Sequence, residues 1–469
     1  MNTYDDFKCT GRCEECGRCN GINKILKADN RKTRMMYFPD DFETESGGEG
    51  LGAAFDIGTT TVVGMLWDLQ TGRMLDILAE TNPQNKYGAD VISRITYCGR
   101  AEEKLAELSG LIRHKMDAML GVMCARQTAV RADGQAAGKP VLQSDIRRIA
   151  ICGNTTMSHL AGGYDPMSLA LVPFTPAYEG ELVLQAADMQ IAAAPGCTVT
   201  IIPNLAGHVG GDINAGIVAS RLLDQKELTL FIDIGTNGEM ALTDGTRTLV
   251  CSTAAGPAFE GACISQGMRA STGAIEKVWI SGETVKLSTI DNGAPAGICG
   301  SGLISAVSEL IREGIVDSTG RLDKTHPLVR LIDDKPVVIL CEKPNGSPVG
   351  LTQKDIREVQ LAKGAMQAGA SIMLKILGRK PEDIQKVMLA GAFGNFIDRE
   401  AASRIGLLPR IPLERIEPVG NTAGAGISMV LMNRGEAALA RGMAAHVEHV
   451  ELAAWPEFDM EYMNAMSFA

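Results

Sequence analysis

The chain has 469 residues, with 45 Lys and Arg against 56 Asp and Glu, a net charge of −11. That balance leaves no basic field to displace phosphate counterions, so nucleic acid is excluded as a partner class. Hydrophobic residues at 45% and charged residues at 22% are ordinary globular values. No run approaches the roughly 18 uninterrupted apolar residues of a membrane helix, and the polar, acidic start MNTYDDFKC lacks a secretory-signal pattern. The expectation is a cytoplasmic protein with no membrane contact, built from two large domains or about three smaller ones. Gly is abundant at 52 residues, which anticipates tight turns and close backbone approaches of the kind nucleotide loops require.

In chain order, residues 1–30 hold a cysteine cluster and little that could form a core. Of 12 cysteines, four are Cys9, Cys13, Cys16 and Cys19, in the pattern Cys-x3-Cys-x2-Cys-x2-Cys. In a reducing compartment these do not read as a disulfide frame. The tight spacing is close to that of iron–sulfur loops and predicts a [4Fe-4S] cluster. Structural zinc ordinarily uses two Cys pairs separated by a longer loop, which is absent here; zinc, free thiols and ligands shared between chains stay open. The first three cysteines also match the spacing of radical S-adenosylmethionine enzymes, but nothing downstream resembles their barrel. Residues 31–50 are charged, then Gly-rich, and read as a flexible linker.

From Leu51 onward, apolar runs alternate with helical periodicity, the signature of α/β architecture. The segment AAFDIGTTTVVGMLWD (53–68) reads as strand, Gly-Thr turn and strand, and LTLFIDIGTNGEMALTD (228–244) repeats it, with Asp56 and Asp233 in equivalent places. Each half then carries a strand ending in a Gly-rich turn, RIAICGNTTM (148–157) and KVMLAGAFGN (386–395). This echo predicts a duplicated domain with a central cleft, divided at 51–225 and 226–469. The longest helical candidates are 357–378 and 300–314, with apolar residues three and four apart. Cys152 and Cys299, inside Gly-rich motifs, read as small buried fillers. The Met-rich tail MEYMNAMSFA reads as core packing or a frayed end.

The chemistry lies in the two turns. Hairpins joined by Gly58, Thr59 and Thr60, and by Gly235, Thr236 and Asn237, present backbone N–H groups and hydroxyls suited to phosphate oxygens. Asp56 and Asp233, ending apolar strands, are placed to hold a hydrated Mg2+ beside the phosphates, because Mg2+ keeps its waters and takes few protein ligands. A lone Asp-Gly turn is only a turn signal; two copies, each with a Gly-rich strand end in register, point to nucleotide phosphate binding. Glu239 and Asp212 are further catalytic candidates, for orienting the attacking water, although Asp212 also suits a helix N-terminus. His208, alone in a Gly-rich turn, reads as structural.

DIGTTT, DIGTNGE and LAGAFGN resemble the two phosphate motifs and the adenosine motif of the acetate kinase, sugar kinase, heat-shock chaperone and actin superfamily. More narrowly, GNTTMSHL (153–160), IPNLAGHVGGD (202–212), STAAGPAFEG (252–261), GICGSGLI (297–304), LTQKDIREVQLAKGA (351–365) and AGAFGNFIDREAASRIGLLP (390–409) resemble the ATPase domain of reductive activators of corrinoid proteins. The resemblance covers residues 51 to about 430. It implies two ribonuclease-H-like subdomains closing on ATP, with Gly391, Ala392, Phe393 and Gly394 lining the adenosine. It further implies ATP-coupled electron transfer: reduced ferredoxin loads the cluster, and a partner corrinoid protein is taken from Co(II) to Co(I). The resemblance favours a homodimer. The pattern departs from the better-known members, which carry a plant-type ferredoxin domain and a further domain before the ATPase region. Some 50 residues precede the first phosphate motif here, so the expectation is a minimal cluster loop in place of both. The competing readings are an activator of an iron–sulfur dehydratase, a small-molecule kinase of the same superfamily, and an ATP-gated binding module.

Overall fold

The structure, a computed structural model, describes residues 36–45, 47–133, 140–394 and 396–468. Cys9, Cys13, Cys16 and Cys19 lie outside the described residues. The chain divides into two compact units, residues up to Leu223 with Asn421–Val447, and Asp224–Gly420 with Glu448–Ala469.

In the first unit, β1 (Leu51–Ile57), β2 (Thr61–Asp68) and β3 (Arg73–Thr81) form an antiparallel meander. Helices α1 (Val91–Cys98) and α2 (Glu102–Asp133) lead to β4 (Ile146–Gly153) and α3 (Thr155–Gly162), then β5 (Leu182–Gln185), β6 (Thr198–Ile201) and α4 (Gly211–Ser220). The strands make one mixed sheet in the order β3-β2-β1-β4-β6-β5, with β4 parallel to β1 and β6 parallel to β4. Strand β1 is central, and its apolar run LGAAF, broken only where Asp56 nears the turn, follows from burial on both faces.

The second unit opens with the same meander, β7 (Thr229–Ile234), β8 (Gly238–Thr243) and β9 (Thr248–Thr253). A small sheet of β10 (Ala274–Ser281), β11 (Thr284–Thr289) and β12 (Gly297–Ile298) precedes α5 (Gly300–Arg312). A second small sheet of β13 (Val329–Ile332), β14 (Lys335–Glu342) and β15 (Pro348–Thr352) runs into α6 (Gln353–Ile376) through a capping box between Thr352 and Asp355. Next come β16 (Lys386–Ala390), the short α7 (Gly391–Gly394), α8 (Arg399–Arg404) and β17 (Ile416–Gly420). Strand β16 is parallel to β7 and β17 is parallel to β16. The resulting order β17-β16-β7-β8-β9 repeats β6-β4-β1-β2-β3 of the first sheet, so the echo between the two halves of the sequence is a duplicated fold; the sixth strand differs, since β18 (Glu448–His449) pairs with β9 whereas β5 pairs with β6.

The structure departs from three expectations. Beside the expected division at 225/226, the compact units divide at Leu223/Asp224 and the chain later returns: α9 (Thr422–Met432) and α10 (Arg434–Gly442) belong to the first unit. The sequence TAGAGISMVLM carries no charge and every residue of α9 is buried, as a helix apolar on all sides requires. Gly426 lets it approach α4 so closely that a Cβ there would lie 1.9 Å from the Ala215 carbonyl oxygen.

The second correction concerns the linker, 31–50. Its residues 36–45 are docked on the first unit. Phe42 is 3% exposed and stacks on Phe38 at 5.6 Å, which in turn meets Trp67 edge-on at 5.9 Å. Glu45 N donates to the Met432 carbonyl at 2.9 Å, Asn433 Nδ2 donates to that of Glu43 at 3.0 Å, and Arg221 pairs with Asp41 at 3.2 Å. The aromatic residues FPDDF in a charged run are what fix this strap.

Third, the longest helix is α2, with 32 residues. Its buried line of Leu108, Ile112, Met116, Met119 and Met123 keeps the three-to-four spacing, but Gly110, Gly121 and the polar residues between dilute it.

The Met-rich tail forms α11 (Phe458–Ala465), held to α6 by Lys375 bonded to Glu457 and Glu461 at 2.6 and 2.7 Å. Beyond it, Phe468 is buried, and the fully buried Lys363 of α6 donates to the Ser467 carbonyl. Burial pushes the Lys363 ammonium down to about 8, with Arg410 adding to the shift. The folded state therefore holds fewer protons than the unfolded state between pH of about 8 and 10.5, and this group's contribution makes stability rise with pH there. Lys363→Met is expected to remove up to about 3 kcal/mol of that rise. Denaturant midpoints of wild type and variant at pH 7.5 and 10 check this; parallel pH profiles would contradict it.

Candidate functional site

In the first unit the hairpin β1–β2 turns through Gly58–Thr60, closed by a bond from Gly58 N to the Thr61 carbonyl at 2.9 Å. The turn is held from behind by residues 82–94. Asn82 Nδ2 donates to the Gly58 carbonyl and Asn82 N to that of Thr60, both at 2.9 Å. Asp56 stands one residue before the end of β1, opposite Cys152 of β4. Burial raises its carboxyl to about 6, against the lowering effect of Asn421, whose Nδ2 donates to Oδ2 at 3.2 Å. Gly153 follows in β4, where a Cβ would lie 2.6 Å from the Ile57 carbonyl oxygen.

Two asparagines that sequence reasoning passed over organise this site. Asn154 caps α3, accepting from Met157 N at 3.0 Å, while its Nδ2 donates to Thr59 Oγ1 at 2.9 Å. Asn421 caps α9, accepting from Gly424 N at 2.7 Å, while its Nδ2 holds Asp56. Each amide thus satisfies a helix end with its oxygen and a phosphate-motif side chain with its nitrogen. The signal was present: Gly-Asn-Thr occurs at 153–155 and again at 420–422, each time between a strand and a helix. Asp212 lies in the first turn of α4 and accepts from Ile213 N at 2.9 Å. The helix start abuts the strand end, since a Cβ on Gly210 would fall 2.4 Å from Asn154 Cα. The residues 58–60, 153–154, 210–212 and 421 are therefore gathered in one unit. His208 packs on Phe174, ring centroids 4.8 Å apart.

In the second unit the equivalent hairpin β7–β8 is closed by Gly235 N donating to the Asn237 carbonyl at 2.9 Å. Asp233 lies opposite Glu239 across the hairpin and beside Ala390 of β16. Glu239 is 7% exposed, and the Thr236 hydroxyl donates to Glu260 Oε1 at 2.5 Å. Glu260, within STAAGPAFEG, is an acidic residue of this site that the motif reading did not single out. Gly391 has φ of +83°, and a Cβ there would lie 2.4 Å from Asp233 Oδ1. The position requires glycine on both counts. The Phe393 ring is buried and stacks on Phe259 at 6.0 Å, so it supports the 391–394 loop from within the core.

Taken unit by unit, each turn offers amides and hydroxyls with a carboxylate beside it, chemistry suited to phosphate oxygens and a hydrated cation, and in the second unit the strand end at Gly391 leaves no room for a side chain. Among the described residues no group of three or more His, Cys, Asp and Glu side chains is arranged to hold a metal by itself. None of the eight described cysteines is in a disulfide, and Cys152 and Cys299 are buried. No helix among the described residues is long and apolar enough to cross a membrane.

A family described as the RACo middle region matches residues 51–225, and one described as the C-terminal domain of RACo, the ASKHA domain, matches 227–469. The chain is 37% identical over 429 residues to the corrinoid activation enzyme RamQ of Eubacterium limosum, covering 89% of this chain and 70% of the relative. It is 29% identical over 322 residues to the [Co(II) methylated amine-specific corrinoid protein] reductase of Methanosarcina barkeri, covering 60% of this chain and 54% of that protein. Among solved structures, a reductive activator for corrinoid, iron–sulfur protein superimposes with a TM-score of 0.77 at 36% identity, over 90% of this chain and 67% of that one. With the duplicated fold, the paired turns and matches running from residue 51 to 469, this chain belongs to the RACo family, whose C-terminal domain is an ASKHA domain.

Proposed function

We propose that this protein is an ATP-dependent reductive activator that delivers a low-potential electron to a corrinoid protein, converting Co(II) to Co(I). The observation that carries the proposal is the pair of turns, each with an aspartate at its strand end, in a chain related along most of its length to corrinoid activators. Asp56 of the first unit and Asp233 of the second are the carboxylates that would hold a hydrated Mg2+, which would neutralise charge on the phosphates. The N–H groups and hydroxyls of Gly58–Thr60 and of 235–237 take the phosphates, and the loop 391–394 takes the adenosine. Glu239 and Asp212 are the groups for orienting the attacking water, and Glu260 fixes the Thr236 hydroxyl. A [4Fe-4S] cluster on Cys9, Cys13, Cys16 and Cys19 would supply the one-electron carrier; the tight cysteine spacing supports it. Reduced ferredoxin is the donor and the working form is a homodimer.

The electron count is simple: the donor loses one electron, the corrinoid cobalt gains one, and ATP and water give ADP and phosphate. Coupling matters because each tenfold uphill step in a one-electron equilibrium is about 59 mV. A small-molecule kinase with the same fold would instead consume ATP only with a metabolite acceptor.

The test is hydrolysis and reduction measured together on anaerobically purified protein. With dithionite-reduced enzyme, ATP and a Co(II) corrinoid protein, phosphate release and the visible spectrum of Co(I) are expected to appear together, and neither without ATP. ATP consumption that depends on sugars or small acids and ignores the corrinoid protein would establish the kinase reading instead.

A further inference from the structure

The phosphate turn of the first unit rests on a buried cation whose hydrogen-bond acceptors are all neutral. Arg94, on α1, has no solvent exposure. Its guanidinium donates to the Thr59 carbonyl at 2.5 Å and the Gly88 carbonyl at 3.0 Å, and to Asn85 Oδ1 at 2.6 Å and Gln84 Oε1 at 3.2 Å. Met157 Sδ lies 3.2 Å from Nη1. Among the described residues no carboxylate stands within ion-pair distance. The acidic group it feels is Asp90, which is committed to capping α1 through Ser93 N and Oγ, both at 2.8 Å. A desolvated charge held only by neutral acceptors is costly, and a bound anion offsets that cost.

The placement says which anion. All three carbonyls of the turn are tied on one side: Gly58 and Thr60 by Asn82, and Thr59 by Arg94. A trans peptide directs its N–H opposite to its carbonyl. The N–H groups of Thr59 and Thr60 are therefore turned to the other side, and the guanidinium polarises the 59–60 peptide in the direction that strengthens its N–H as a donor. Arginine suits the task because its planar fork reaches Thr59, Gly88 and two side-chain oxygens at once, which an ammonium cannot do.

We propose that Arg94 is a positioning residue for the nucleotide phosphates, fixing the Gly58–Thr60 turn through the Thr59 carbonyl and supplying a buried positive charge that bound phosphate neutralises. The proposal rests on the ATP reading above.

It is tested by calorimetric titration with Mg·ATP, competition with adenosine, and thermal unfolding of wild type, Arg94→Met, Arg94→Lys and Asn85→Asp. Arg94→Met is expected to weaken ATP at least about tenfold while leaving adenosine within about twofold, and Arg94→Lys to recover part of the loss. Asn85→Asp places a carboxylate where Arg94 now meets an amide oxygen. It is expected to keep or raise the unfolding temperature yet weaken ATP at least about fivefold, because the cation is neutralised locally. Asn85 Nδ2 also reaches the Thr60 carbonyl at 3.4 Å, so Asn85→Ala, which removes that contact without adding a charge, is the control. A merely structural arginine would leave Asn85→Asp and Asn85→Ala with the same ATP affinity, and the pair decides the matter even if Arg94→Met does not fold. Variants that bind ATP as wild type does, or that lose ATP and adenosine equally, overturn the role of Arg94. A wild type that binds no ATP overturns the ATP reading itself.

Discussion

Gly391→Ala is expected to weaken Mg·ATP binding at least about 100-fold and to abolish hydrolysis, while the protein still folds. The backbone at Gly391 has φ of +83°, where an L side chain is strained. A strained residue of that kind costs about 1–3 kcal/mol, which a chain of this size can tolerate. The larger effect is local. The added Cβ would lie 2.4 Å from Asp233 Oδ1, so the carboxylate is driven away or the 391–394 loop is displaced, and the proposed metal and adenosine sites are lost together. Calorimetric titration gives the affinity, and circular dichroism establishes that the fold persists. An affinity within about threefold of wild type would remove both Asp233 and Gly391 from the nucleotide site.

The double variant Cys13→Ser/Cys16→Ser is expected to separate the two halves of the activity. Removing two of four thiolates from so short a loop leaves too few ligands for a four-iron cluster. Iron and acid-labile sulfide fall to background, and the electron paramagnetic resonance signal of the dithionite-reduced protein disappears. Conversion of Co(II) to Co(I) then falls at least about 100-fold while ATP affinity stays within about threefold, because the proposed nucleotide ligands lie at 56–60, 233–237 and 391–394, in chain segments remote from the two substituted cysteines. Zinc in the wild type, or no metal at all, would end the electron-carrier mechanism and leave an ATPase or kinase with a structural N-terminus.

Much of the site was legible because its signals are local. An apolar run ending in Asp-Ile-Gly-Thr specifies a buried strand, a turn and a carboxylate at the turn, whatever surrounds it, and both copies fold that way. Their common order with β4 and β16 was readable for the same reason: β1, β4, β7 and β16 are short apolar runs bounded by glycine turns. Helix α2 is hard to see in the sequence because glycines and polar residues dilute its periodic face. The strap at 36–45 has the composition of a linker because its charge outweighs its two phenylalanines, though those two rings anchor it.

What the sequence by itself determined is the form of the two turns with an aspartate before each, the glycine at 391 and the spacing of Cys9, Cys13, Cys16 and Cys19, each a pattern within a few residues. Tertiary structure alone decided three other things. The uncharged α9 announces burial but not where; the close approach of Gly426 to Ala215 assigns it to the first unit. Asn154 and Asn421 read as helix caps, and only their neighbours reveal that the same amides hold Thr59 and Asp56. Arg94 reads as an ordinary polar position on a short helix. Its burial, and the convergence of residues 59, 84, 85 and 88 upon it, depend on chain segments meeting in space, which no local pattern encodes.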